Sequence, residues 1–82
     1  MKVPRDLSGR DLAKLLRRYG YAVVRQTGSH IRLTSALRGT PNHITIPAHD
    51  PIKVGTLGAI LFEAATYLDV DRVALCNELF ER

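Results

Sequence analysis

Gly20-Tyr21-Ala22-Val23-Val24-Arg25-Gln26-Thr27-Gly28-Ser29-His30-Ile31-Arg32-Leu33-Thr34 is the stretch whose reading decides the fold. Tyr21 to Gln26 and Ile31 to Thr34 are rich in aromatic and β-branched residues, and a glycine-containing break separates them. That pattern reads as a β-hairpin. A two-residue loop at Thr27-Gly28 sets Gln26 opposite Ser29, Arg25 opposite His30 and Val24 opposite Ile31. Side chains alternate between faces, so Ala22, Val24, Ile31 and Leu33 are expected to point into a core. Tyr21, Val23, Arg25, His30, Arg32 and Thr34 are then expected to point outward.

Upstream, Ser8 and Asp11 resemble a capping box at a helix start. Leu12, Leu15, Leu16 and Tyr19 follow at i, i+3, i+4 and i+7 before Gly20, which predicts an amphipathic helix over about 9 to 19. Its other faces carry Arg10, Lys14, Arg17 and Arg18. Downstream, Ser35 to Asn42 reads as a loop and His43 to Ile46 as a third strand, with Ile44 and Ile46 inward and Pro47 as a stop. Thr56 is a candidate cap for a second helix with the stripe Leu57, Ile60, Leu61, Ala64 and Leu68. Asp69 is a candidate cap for a short last helix from about 70 to 80, packed through Val73, Cys76 and Phe80. The expected fold class is α+β: a two-layer sandwich of order α-β-β-β-α with a three-stranded antiparallel sheet and a short C-terminal helix. We expect one domain over 1–82, with a core at about 8–68 and a helical extension at about 69–82.

At 82 residues the chain has room for one small core, and 45% hydrophobic against 24% charged residues is a globular balance. The net charge of +4 is unevenly spread: residues 1–40 hold nine Lys or Arg and two Asp, and residues 41–82 hold three against six acids. The halves therefore carry +7 and −3, and a concentrated positive half suits a polyanionic partner or a solvated basic surface. Cys76 is the only cysteine, so no intrachain disulfide is available, in keeping with a reducing compartment. No apolar run reaches the length of a signal peptide or a membrane span, so a cytoplasmic protein with no membrane association is expected.

Phosphate-binding glycine loops, His-Glu-x-x-His runs and nucleophile elbows are missing from the sequence. His43 and His49 offer two metal ligands without a third, so no metal and no cofactor is expected. Acid–base chemistry by imidazole remains. RNA supplies its own nucleophile, the 2′-hydroxyl, and a histidine can take that proton or give one to the leaving 5′-oxygen. His30 with Arg25 or Arg32 nearby is a sufficient set, since an arginine can neutralise charge on the phosphorus centre. Taken alone, a strand histidine fits a surface or structural role as well.

The run from Gly20 to His30 resembles the Gly-aromatic … Gly-Ser-His segment of the HicA toxin family, the messenger-RNA interferases of HicA–HicB toxin–antitoxin pairs. Ile44-Thr45-Ile46-Pro47-Ala48-His49 and Lys53 to Leu61 are similar to that family's Val-Pro-x-His … Gly-Thr-Leu … Ile-Leu segment, and the Ser8-Gly9 helix start precedes both in the right order. The resemblance covers about residues 8 to 68. It implies a double-stranded-RNA-binding-like fold, endoribonuclease activity on mRNA, a catalytic histidine at His30 presented by Gly28 and Ser29, and a HicB-type antitoxin as protein partner in a hetero-oligomer. His49 falls where the family often has histidine, as a possible secondary residue. Arg25, Arg32, Ser29, Lys14, Arg17 and Arg18 are candidates for holding RNA, and the basic ridge of the first helix serves equally as a surface for an acidic antitoxin. Two other readings are a non-catalytic RNA-binding module of the same fold, and an interaction protein acting through its C-terminal helix.

Overall fold

A computed structural model describes residues 4–80; the two ends of the expected 1–82 unit, residues 1–3 and 81–82, lie outside the described residues. Helix α1 spans Gly9–Leu16, and a 3₁₀ turn over Arg17–Tyr19 continues it to Gly20. Strands β1 (Ala22–Thr27), β2 (His30–Ser35) and β3 (Asn42–Pro47) follow, then helices α2 (Val54–Leu68) and α3 (Arg72–Phe80). The strands form one antiparallel sheet in the order β1-β2-β3, with β1 and β3 at its edges. This is the expected α+β arrangement with an added C-terminal helix.

The Ser8 hydroxyl accepts from the Asp11 amide at 3.1 Å, satisfying one of the free amides at the start of α1. Leu12, Ala13 and Leu16 of α1 pack with Ile31 and Leu33 of β2, Ile44 and Ile46 of β3, and Leu57, Ile60, Leu61, Ala64 and Leu68 of α2. Both helices thus cover one face of the sheet and leave the other to solvent. Gly20 ends the first helical segment at φ +82, a conformation open to glycine at little cost.

The hairpin departs from the expected register. Its two-residue loop is Gly28-Ser29, so Thr27 pairs with His30, Gln26 with Ile31, and Arg25 with Arg32 rather than with His30. Gly28 has φ +51, while Asp69 is the one described non-glycine residue with positive φ, so Ser29 keeps a negative φ. Glycine at the first loop position followed by a residue of negative φ is the pattern of a type II′ turn, whose twist suits a hairpin. A β-bulge between Val23 and Arg25 then corrects the phase.

The bulge has a core-packing consequence. Tyr21, expected outward, is 1% exposed and inside the core, whereas Ala22 and Val24, expected inward, are exposed. Val23 pairs with Leu33 on the helix-facing side but stays 49% exposed because β1 is an edge. Burying a tyrosine in place of an alanine gains far more apolar area, and the bulge lets the arginines downstream keep their outward positions. The Tyr21 hydroxyl donates to Asn42 Oδ1 at 2.7 Å, and its ring stands edge-on to Tyr67 with centroids 6.3 Å apart.

Both later helix starts also differ from expectation. Helix α2 begins at Val54 behind an extended Lys53, so Thr56 lies within its first turn rather than at its cap. Asp69 caps nothing at an N-terminus. It adopts φ +58, and the bonds from the Asp69 amide to Thr66 and from the Val70 amide to Ala65 close α2 in a Schellman motif. Asp71 caps α3, its carboxylate accepting from the Ala74 amide at 3.1 Å. Moving the start by two residues rotates the helix, so Leu75, Cys76 and Leu79 are buried, Phe80 is partly covered and Val73 is exposed.

Candidate functional site

On the solvent face of the sheet the register sets side chains in three rows. Ala22, Thr34 and His43 make one row, Arg25, Arg32 and Thr45 the next, and Thr27, His30 and Pro47 the third. None of these nine residues is acidic. Arg25, Thr27, His30, Arg32 and Thr45 line a concavity of about 210 Å³. His30, Arg25 and Arg32 are all exposed, so the guanidinium donors and the imidazole ring nitrogens are available to a ligand.

Two guanidinium groups directly opposite one another on neighbouring strands repel, and such pairs destabilise a sheet by a few tenths to about 1 kcal/mol. Arg25 and Arg32 stand in that relation beside His30. A bound anion would turn the repulsion into a two-armed clamp, since guanidinium groups bind oxyanions through paired N–H donors.

The hairpin tip that carries His30 is held from below. The Ala48 amide donates to the Ser29 carbonyl at 2.6 Å, and the Gly9 amide donates to the His49 carbonyl at 2.9 Å. Ser29, Ala48, His49 and the start of α1 are thereby tied together by backbone bonds. A Cβ built on Gly9 would lie 2.1 Å from the Pro47 oxygen, so only glycine lets α1 approach the end of β3 this closely. Gly28 has open space around it, and its left-handed φ is what the turn requires. Ser29 and His49 are exposed, and their described bonds run through the backbone.

The remaining candidate basic residues lie elsewhere. Lys14 and Arg17 line a groove of about 260 Å³ on the helix side of β1, with Arg10, Ala13, Val23, Gln26 and Ile31. Arg18 turns to the C-terminal helix, where its guanidinium donates to the Glu78 carbonyl at 2.9 Å. The Tyr19 hydroxyl donates to the Glu78 carboxylate, and burial together with that carboxylate pushes the Tyr19 phenol up to about 12. Burial likewise lifts Tyr21 to about 12 and raises the Cys76 thiol. The structure therefore brings Arg25, Arg32 and His30 together, sets Lys14 and Arg17 around the sheet edge, and engages Arg18 in holding α3.

Sequence reading does not single out Thr27 or Thr45 as site residues, and it counts Arg10 only as part of the basic ridge of the first helix. The alternation of β3 already placed Thr45 outward, and knowledge of the hairpin register would have set Thr27 beside His30. Among the described residues, no cluster of three or more His, Cys, Asp or Glu side chains is placed to hold a metal ion, and no helix is long and apolar enough to cross a membrane.

Comparison with known proteins agrees with the segments quoted above. No curated protein and no solved structure matches the chain. A family model does: that of the HicA toxin of bacterial toxin-antitoxin systems aligns with residues 9–65, from the first residue of α1 to near the end of α2. This span is well over half of the chain and includes the whole sheet with its Arg25, His30 and Arg32 face, so the chain belongs to the HicA toxin family.

Proposed function

We propose that this toxin is a metal-independent endoribonuclease that cleaves mRNA with His30 as its catalytic histidine, and that a HicB-type antitoxin neutralises it in the cytoplasm. The observation that carries the reading is the opposition of Arg25 and Arg32 beside His30 on a sheet face whose described strand residues include no acid. RNA is the polyanion that brings its own nucleophile to such a face. The 2′-oxygen attacks the adjacent phosphorus, the bond from phosphorus to the 5′-oxygen breaks, and the proton lost by the 2′-hydroxyl is matched by one gained at the 5′-oxygen. His30 carries one of those two transfers. Arg25 and Arg32 stabilise the charge that grows on the non-bridging oxygens. Ser29, Gly28 and the Ala48 amide keep the hairpin tip in place, with His49 as a secondary neighbour at the same end of the sheet. Lys14 and Arg17, with Arg18 behind them, extend the positive field along α1 toward RNA or toward an acidic antitoxin.

The test is cleavage of a plain RNA by purified protein in chelator, wild type beside His30→Ala. Cleavage that needs His30, survives chelation and leaves a 2′,3′-cyclic phosphate with a 5′-hydroxyl supports the proposal. RNA binding without cleavage by the wild type points to a non-catalytic binding module of the same fold. A requirement for a metal ion overturns the mechanism.

A further inference from the structure

The second histidine of the outer sheet face is placed as deliberately as the first. His43 lies directly opposite Thr34, and the Thr34 hydroxyl and His43 Nδ1 are 2.8 Å apart. A histidine with one ring nitrogen held by a neighbour has its ring orientation fixed and its other nitrogen directed away from that bond. His43 is exposed, and Ala22, the third residue of its row, is exposed and has only a methyl group to stand in the way.

Same-face residues on a strand repeat at about 7 Å, so the Thr34–His43 row lies about 13 Å from the His30 row, with the Arg25–Arg32–Thr45 row between. The step from one row to the next, about 7 Å, is of the size of the phosphate-to-phosphate distance along an extended single strand. Three rows in line, each with a cationic or hydrogen-bonding group and none with an acid, form a track parallel to β2 and β3.

We propose that Thr34 and His43 form a second phosphate subsite for the RNA strand whose scissile phosphate lies at His30 and the two arginines. The proposal rests on the reading of RNA as substrate and adds to it a direction and a length: the strand runs along β2, and His43 is a positioning residue that acts only when the substrate reaches it. Phosphate contacts fix register on a protein without reading sequence.

The test uses the full chain and two oligoribonucleotides, a dinucleotide and a hexanucleotide, each in a cleavable form and in a 2′-O-methyl form that lacks the nucleophile. His43→Ala and Thr34→Val should weaken binding of the methylated hexanucleotide about tenfold or more, the size of one lost hydrogen bond to a charged partner, and leave the dinucleotide unchanged. With cleavable RNA, KM for the hexanucleotide should rise while kcat holds, and His43→Gln, which keeps a donor, should recover part of the loss. Thermal melting run beside these assays separates a folding defect, which would affect both lengths alike. Equal effects on the two lengths, or none on the hexanucleotide in a protein that still binds RNA through Arg25 and Arg32, overturn the subsite. A wild-type protein that neither binds nor cuts RNA overturns the substrate reading itself, which is a separate result.

Discussion

Arg25 and Arg32 face each other across β1 and β2 with no carboxylate among the described strand residues on their side of the sheet. Cross-strand pairs of like charge cost stability, so on this reading the pair is kept for what it binds. Stability and binding should therefore move in opposite directions. Arg25→Thr is expected to stabilise the fold by a few tenths to about 1 kcal/mol, seen as a raised midpoint in urea. The same change should weaken RNA binding about tenfold and reduce the slope of log Kd against log salt by about one. If Arg25→Thr leaves both RNA affinity and its salt slope unchanged, the clamp is not used.

Glycine substitutions should separate two kinds of constraint. Gly9→Ala pushes a methyl group to within 2.1 Å of the Pro47 oxygen and 3.1 Å of the Ala48 Cα, both backbone atoms that cannot swing aside. We expect a loss of about 1–3 kcal/mol or more, with the end of β3 displaced along with the Pro47 partner of His30. Gly28→Ala meets no atom within 4 Å and is penalised only by its positive φ, at about 1–3 kcal/mol. Urea unfolding ranks the two, and an NMR comparison should show changes spreading from Gly9 into β3 but confined to the turn for Gly28.

Two phenols give the fold an alkaline limit. Tyr19 and Tyr21 are lifted from 10 to about 12 in the folded chain, chiefly by burial. A group whose folded pKa is raised contributes stability that is fully present below pH 10 and is lost as pH rises from 10 to 12, because the unfolded chain gives up its proton first. The midpoint of urea unfolding should fall steeply in that window. Tyr21→Phe should flatten the fall, at the cost of the bond to Asn42, about 1 kcal/mol at neutral pH. A pH profile identical to wild type in both Tyr19→Phe and Tyr21→Phe would show that neither phenol titrates with unfolding.

Tyr67 illustrates a device that leaves no mark on a single sequence. Its hydroxyl donates to the Thr40 carbonyl at 2.6 Å and accepts from the Arg38 amide at 3.0 Å, which pins the connection between β2 and β3 from a helix 27 residues away. Tyr67→Phe should cost on the order of 1 kcal/mol and accelerate amide exchange in residues 36–41. The exposed Arg38–Asp69 pair at 3.9 Å adds little to that anchoring, so Arg38→Ala should leave exchange there nearly unchanged.

The legible parts of the fold were those written in periodicity. The stripe of Leu12 and Leu16, the alternation of Ile31, Leu33, Ile44 and Ile46, and the run from Leu57 to Leu68 set the layers and put His30, Arg32, His43 and Thr45 on the open face. What was illegible depended on competition between neighbours. Tyr21 and Ala22 differ by one position, and only the packing of the aromatic ring against Tyr67 decides which enters the core, after which the bulge at Val24 resets the phase. Thr27-Gly28 and Gly28-Ser29 are equally good loops on paper; the observed register is the one in which Thr27 pairs with His30 and the Ser29 carbonyl accepts from the Ala48 amide. The opposition of Arg25 and Arg32 follows from that one-residue shift. Asp69, two residues before the actual cap Asp71, suits a helix start on paper, and only its left-handed conformation rules it out.

Helix α3 is packed into the core as well as extending the chain. Read as an extension, residues 69–82 invite truncation as a way to remove a partner surface while sparing the rest. Leu75, Cys76 and Leu79 instead belong to the same buried cluster as Leu12, Leu61 and Leu68. Arg18 and Tyr19 reach from the end of α1 to Glu78, joining the first helical segment to α3. Burying a leucine contributes about 1.5–3 kcal/mol, so losing two together with Cys76 removes much of the roughly 5–15 kcal/mol that holds a small domain. A chain ending at Asp69 should lose cooperative unfolding by circular dichroism and expose apolar surface to dye. Glu78→Gln, by contrast, keeps the Arg18 contact, which uses the backbone carbonyl, and weakens only the bond from Tyr19. It should cost about 1 kcal/mol and lower the pH at which the Tyr19 phenol ionises, since it removes a neighbouring negative charge. Truncation that leaves a cooperative fold with native stability would return α3 to the role of an appendage.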